Sequence, residues 1–341
     1  SPSRKGEKFM VKFNKYVQIG PATATAGAAE TAMVKVSQKY PNIVVVLEDM
    51  GMPGIEWFKK NAPERIVECG IAEANGAVIA GALAAEGFIP FIHSFSFAVI
   101  ERAYNQIRQS ILVDRFNVKI TARDAPWGDL GISHDIVEGI ACTRCLPNLV
   151  ILNPADAVEA EKAYIAMVDY VGPVFFRMEY SAPAPYKIFT EDYPFEIGKA
   201  YAIKDGKDAT IIATGYLVTE AIKAVEILEK EGLDVGILNM STIKPLDEEA
   251  IIKVAEQTRA IVTAEGGTII GGLGDAVASV LAESAPAALV KVGVEDEFSQ
   301  SARLTAEVDE LKDFFGLGAK DLVISVKEAI AKREQFKLVR K

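Results

Sequence analysis

The sequence is short of the residues that most often mark a metal or redox centre. In 341 residues it has three cysteines and two histidines. The cysteines, Cys69, Cys142 and Cys145, are too few and odd in number for a disulfide framework. They point to reduced thiols and a cytoplasmic setting. Cys142-Thr-Arg-Cys145 has CxxC spacing, but no second pair completes a zinc site, so it reads as part of a packed helix. His93 and His134 alone make a histidine metal site an unfavoured reading. Positive charge is also in deficit. Lys and Arg number 37 against 47 Asp and Glu, a formal net charge of −10. That balance opposes binding to nucleic acid or to an anionic membrane surface. Glu or turn residues break the apolar runs within about 18 positions, so no membrane span is expected. The opening SPSRKGEKFM lacks the basic-plus-apolar look of a targeting signal and reads as a solvated tail.

Hydrophobic residues make up 50% of the chain and charged ones 25%, which suits large globular cores. Buried-strand patterns occur at 42–49, 88–95, 116–123, 148–156 and 173–180. Helical periods fill 71–86, 98–114, 135–145 and 156–169 between them. The alternation restarts with strands at 209–215, 233–241, 259–266 and 288–296, and helices at 217–232, 247–257, 272–284 and 320–336. Repeated strand–helix alternation predicts an α/β protein of two domains, each a mostly parallel sheet with helices on both faces. The expected division is a tail at 1–17, one domain at 18–190 and a second at 191–341. SAPAPYKIFTEDYPFEIGKA (181–200) reads as a linker crossing the surface.

Two stretches raise chemical questions. GGTIIGGLGDAV (266–277) precedes a helix, where backbone N–H groups bind phosphate, yet it matches neither G-x-G-x-x-G nor a P-loop. A tight turn with close packing is the favoured reading. CGIAEANGAVIAGALAA (69–85) carries a single charge, Glu73. An acid in such a run either opens a helix, where the dipole favours it, or is used.

Several segments together resemble one family. ERIVECGIAEANGAVIAGALAAEGFIPFIHSF (64–95) is similar to the pyrimidine-binding domain of transketolases. RAYNQIRQSI (102–111) and GISHDIVEGIACTRCLPNLVILNPADAVEA (131–160) continue that match, and IIGGLGDAVASVLAE (269–283) resembles the C-terminal domain of the same enzymes. No GDG, the mark of the domain that holds the cofactor's diphosphate through Mg²⁺, occurs in the chain. The resemblance is therefore to the C-terminal half of a split transketolase. It implies thiamine diphosphate as cofactor, with Mg²⁺ held by an N-terminal-half partner subunit in an α2β2 heterotetramer, and small-molecule substrates. The small residues Gly70, Ala74, Ala77, Gly81 and Ala84 offer a face for close helix packing at such an interface, and ordinary internal packing explains them equally well.

By the same resemblance, Glu73 bonds the pyrimidine ring nitrogen and holds the proton that activates the cofactor. Apolar surroundings favour that task. Asn75 supports the cofactor, a subunit contact or helix packing. Family members carry a phenylalanine where Ala98 stands, so Phe95 or Phe97 is expected against the ring. His134 matches a histidine that contacts substrate, where it can donate to a developing alkoxide.

Five positions depart from the family's pattern: Leu130 after Asp129, Ala122, Tyr180, Ala26, and Gly266-Gly267. The lost arginines leave a phosphate site without bidentate donors, which predicts a non-standard substrate for a ketol-transferring enzyme. Arg123, Trp127, Asp129 and Tyr180 are substrate-side candidates, with surface positions the alternative for Arg123 and Trp127. The other functions in view are a β subunit of a 2-oxoacid decarboxylating complex and a non-catalytic assembly subunit.

Overall fold

The computed structural model describes residues 11–123, 125–127, 131–179, 185–300 and 308–339. The first half runs β1 (Val17–Ala22), α1 (Thr25–Lys39), β2 (Ile43–Leu47), α2 (Ile55–Asn61), β3 (Ile66–Glu68), α3 (Glu73–Ala85) and β4 (Ile89–Phe95). It continues through α4 (Tyr104–Ile107), β5 (Lys119–Arg123), α5 (Gly139–Arg144), β6 (Val150–Leu152), α6 (Ala157–Asp169), β7 (Val174–Met178) and β8 (Tyr186–Phe189). The second half runs β9 (Tyr201–Lys204), β10 (Ala209–Ala213), α7 (Leu217–Lys230), β11 (Val235–Asn239), β12 (Thr242–Lys244) and α8 (Glu248–Thr258). It ends with β13 (Ala260–Thr268), α9 (Leu273–Glu283), β14 (Ala288–Val294), α10 (Val308–Phe314) and α11 (Ala319–Val339).

Two α/β sheets result, as the alternation predicts. The first has the order β12-β6-β7-β5-β4-β2-β3, parallel except for β12. The second has the order β14-β13-β10-β11-β9, parallel except for β9. Strand β2 reads IVVVL and is buried along its length, because helices cover both faces of the sheet. Val45 and Leu47 join the core under α1 and α6, whereas Val46 faces the core that contains Ala77 and Ala80 of α3. On β4, Phe91 stacks on Tyr164 of α6 at 5.6 Å between ring centres. Each such ring, taken wholly out of water, stabilises the fold by about 1.5–3 kcal/mol.

Three elements depart from the sequence reading. The stretch 181–200 is not a bare surface linker, since it contributes β8, which pairs with β1 and buries Ile188 and Phe189. Asp156, the cap of α6, explains the docking: its carboxylate accepts from Glu159 N at 2.8 Å and also from Ile188 N at 2.6 Å and Phe189 N at 2.8 Å. Strand β12 leaves the second half of the chain to pair with β6 of the first sheet. The helical period at 98–114 becomes two π-helical turns, Phe97–Arg102 and Arg108–Leu112, on either side of α4. Among the described residues no helix is long and apolar enough to cross a membrane.

Candidate active site

Glu73 is the first residue of α3, after Gly70 in the left-handed region (φ 67°) and Ala72 in a non-helical conformation. Its carboxylate is buried and lies in the first turn, where the helix dipole favours negative charge. The surroundings are not purely apolar, as the run 69–85 alone suggests. Arg102, from the π-helical segment, donates through Nη1 to both carboxylate oxygens at 3.1 and 3.3 Å.

A second acid lies beside it. Glu48, just past the end of β2, is buried, and among the described residues neither of its oxygens has a hydrogen-bond partner of good geometry. Burial first, and the Glu73 charge second, push Glu48 up to about 8, with Ser94 offsetting part of the rise. At neutral pH this acid holds its proton. Gly76, in the turn of α3 after Glu73, makes room for it. A Cβ there would stand 2.5 Å from Glu48 Oε1.

His134 sits in a turn closed by its neighbours. Gly131 adopts φ 80°, its carbonyl accepts from His134 N and Asp135 N at 2.9 Å each, and its N–H donates to Asp135 Oδ2 at 2.7 Å. The imidazole lies edge-on to Phe95 at 5.2 Å and to Phe97 at 4.8 Å, and shares a 2.8 Å hydrogen bond between Nδ1 and Ser133 Oγ. The guanidinium of Arg102 lies 5.4 Å from the Phe97 ring centre. Glu73, Arg102, Phe97, His134 and Phe95 thus form one unbroken chain of contacts. Four of these are sequence candidates. Arg102 and Glu48 are additions, each about 25–30 residues from Glu73 along the chain and visible only in space.

The remaining candidates fall elsewhere. Asn75 is exposed on the outer side of α3 with Ile71 (73% exposed) and Val78 (44%). Of the two readings of the small stripe, interface or internal packing, part of it follows the second. Ala77 and Gly81 are buried, and a Cβ on Gly81 would come within 2.2 Å of Ser110 O. The outward face of α3 is Asn75, Val78 and Ala82, with Ile71 exposed just before the helix. Arg123 ends β5, exposed. Trp127 is not a surface residue. It is fully buried against Tyr216 at 5.7 Å, and a Cβ on Gly266 would meet it at 2.7 Å. Asp129 and Tyr180 lie outside the described residues.

The glycine-rich turn holds an anion of its own. Glu265 Oε2 accepts from Leu273 N at 2.7 Å and Oε1 from Gly274 N at 2.8 Å, at the N-terminus of α9. Burial pushes Glu265 up to about 7 against these two donors. Nearby, buried Arg177 donates to Glu179 at 2.7 Å and to the Gly266 carbonyl, tying β7 to β13. The phosphate-cradle geometry is thus used internally, in line with the tight-turn reading. Among the described residues no group of three or more His, Cys, Asp and Glu side chains is arranged to hold a metal ion.

Comparison with known proteins finds related chains. Residues 22–183 match the transketolase pyrimidine binding domain, and residues 198–322 the transketolase C-terminal domain. Over 308 residues the chain is 36% identical to a 6-deoxy-6-sulfo-D-fructose transketolase subunit of Clostridium sp. (strain MSTE9), covering 89% of this chain and 94% of that one. Over 269 residues it is 35% identical to a subunit of the apulose-4-phosphate transketolase of Phocaeicola vulgatus, covering 78% of this chain and 85% of that one. The solved structure of a split gene transketolase, an inactive beta4 tetramer, superposes with a TM-score of 0.82 at 36% identity, covering 92% of this chain and all of that one.

Proposed function

Because the chain belongs to the transketolase family, we propose that it is the C-terminal-half subunit of a split, thiamine-diphosphate-dependent enzyme that moves a two-carbon ketol unit from a ketose to an aldehyde. The observation that carries this reading is the buried Glu73, oriented by Arg102 and joined through Phe97 to His134. An acid beside an aromatic pair suits a flat, basic heterocycle, and the buried Glu48 adds a proton-holding group to the same wall. The residues present therefore fit thiamine diphosphate, with Glu73 toward the pyrimidine and Phe95 or Phe97 against its face. When bound, that cofactor supplies the carbon nucleophile that accepts and releases the two-carbon unit.

The chain's own residues have definable tasks. Glu73 exchanges a proton at a carboxylate oxygen, and Arg102 fixes which way that oxygen points. His134, held by Ser133 and two phenylalanine edges, presents Nε2 for a hydrogen bond to oxygen where negative charge develops. Mg²⁺ and the diphosphate are assigned to the partner subunit. Two observations support this division. The relatives named as subunits match the chain over 85% and 94% of their length, and the solved relative, a tetramer of β chains, is inactive. An α2β2 assembly with domains at 18–190 and 191–341 is part of the same proposal. The departures at Ala26, Ala122, Leu130 and Tyr180, with relatives named for sulfo-fructose and apulose phosphate, support a substrate outside the ordinary sugar phosphates.

Mixing the chain with its N-terminal-half partner, thiamine diphosphate and Mg²⁺ tests the reading. The complex should convert a ketose and an aldehyde into a new ketose and a new aldehyde. Glu73→Gln should abolish that exchange, and full turnover by this variant in the assembled complex contradicts the proposal.

A further inference from the structure

The second sheet carries a groove at the end opposite the Glu265 turn. Arg259 precedes β13 and Ala288 opens β14, and the two strands run parallel, so both residues stand at one end of the sheet. Strand β14 is the outermost strand there. The core under α9 lies on one face of the sheet and the core under α11 on the other. Between the two helices is a groove of about 680 Å³. Small-molecule sites span roughly 300–1,000 Å³. Leu281 and Ala282 of α9, Pro286 and Leu289 around the start of β14, and Phe336 of α11 line it. Ala282 is exposed, and so is Phe336, by 55%.

Two arginines, Arg259 and Arg333, are the only polar side chains among the described residues that line this groove. Arg333 stands three residues before Phe336 on α11, so the two share a helix face. Its Nη1 donates to the Asp208 and Thr258 carbonyls at 2.7 and 2.8 Å, and its Nε donates to Glu334 at 3.0 Å. Its Nη2 has no hydrogen-bond partner among the described residues. Thr258 directly precedes Arg259, so both cations border the groove beside one turn. The Arg259 side chain is exposed and makes no ion pair or hydrogen bond among the described residues. Glu256 lines a smaller recess that shares Arg259 and Pro286 with the groove, not the groove itself. Arg259 caps the C-terminus of α8 at φ 53°, where glycine or asparagine is the usual choice. The chain thus places a long cation there against the local backbone preference.

An apolar trough with two cations on one side and no other hydrogen-bonding side chain matches a narrow ligand chemistry. A sugar phosphate or a nucleotide would press hydroxyls or base edges against an apolar wall without partners. A hydrocarbon ending in one carboxylate would not. We propose that this groove binds a medium-chain alkanoate, its carboxylate on Arg259 and Arg333 Nη2 and its chain along Leu281, Leu289 and Phe336. The groove belongs to the second sheet and Glu73 to the first, so the inference stands apart from the ketol-transfer reading.

Calorimetric titration of the full chain tests it, repeated after addition of the N-terminal-half partner. The probes are decanoate, hexanoate and decyltrimethylammonium, all below the concentrations at which they form micelles. Decanoate should bind saturably at one site per chain, with and without the partner. Each buried methylene tightens binding about two- to fourfold, so hexanoate should bind at least about tenfold more weakly. Decyltrimethylammonium has the same chain with the opposite charge and should also lose about tenfold or more. Arg259→Gln should weaken decanoate about tenfold with an unchanged melting temperature. Ala282→Trp fills the groove from an exposed position and should abolish decanoate binding. Equal affinity for the two ten-carbon probes, or unchanged decanoate affinity in either variant, overturns the proposal. So does the absence of saturable decanoate binding, whether in the chain alone, where a second copy would then cover the groove, or only after the partner is added.

Discussion

The two sheets each place a buried glutamate where a helix begins, and the two acids are handled in opposite ways. Glu265 spends both oxygens on Leu273 N and Gly274 N, so the start of α9 is closed by its own chain. Glu73 is itself the first residue of α3, and one half-exposed guanidinium is its partner. The difference separates a structural acid from the one proposed to act on the cofactor. A carboxylate buried against two backbone donors of its own chain is pinned away from any ligand, while one held by a half-exposed side chain keeps acceptor capacity toward the site.

Substitution should split these roles cleanly. Glu73→Gln in the assembled complex should lower turnover by about 10²–10⁴-fold with little change in melting temperature, which a steady-state assay beside a thermal melt will show. Gly272→Ala, which puts a Cβ 2.1 Å from Glu265 Oε2, should cost about 2–3 kcal/mol in denaturant unfolding while each folded molecule keeps its turnover. Glu265→Gln removes one of two acceptors for α9 and should cost about 1–2 kcal/mol by the same measurement, again without a turnover defect per folded molecule. Loss of catalysis without destabilisation in either α9 variant breaks the comparison.

Glu48 sharpens it further through pH. Its folded value is raised to about 8 from an ordinary 4.5, so the folded state keeps a proton that the unfolded chain releases. Its contribution to stability is intact below about pH 4.5 and is lost as pH rises toward 8, with a slope of at most about 1.4 kcal/mol per unit. Glu48→Gln lacks this slope. Its stability relative to the unsubstituted protein should rise from pH 5 to pH 8 in thermal melts at several pH values. Parallel curves show instead that Glu48 carries no extra proton.

The architecture was legible wherever burial on both faces writes a continuous apolar strand, as in IVVVL of β2, or a clear period, as in α7. The short pieces were not. Thr242–Lys244 has no pattern of its own and is a strand because β6 offers it an edge. The turns at 97–102 and 108–112 keep helical spacing in sequence, and their π form emerges only where the segment packs on α3, with Ser110 against Gly81. In the site, Glu73, His134 and the Phe95–Phe97 pair came from local motifs. Arg102 and Glu48 did not, because no local spacing links residues 48, 73 and 102; the helix packing against β2 and β4 brings them together. Trp127 misled in another way. An indole in a loop beside His134 suggested a ligand contact, yet Gly266 opens a slot that buries it between the two halves of the chain.

The division of the cofactor between two chains is tested most directly by calorimetric titration of thiamine diphosphate with Mg²⁺, into this chain alone and into the chain mixed with its N-terminal-half partner. No binding to the isolated chain and saturable binding to the mixture are expected. Binding to the chain alone contradicts the division of the cofactor between two subunits, and no binding to a demonstrably associated pair contradicts the catalytic role itself.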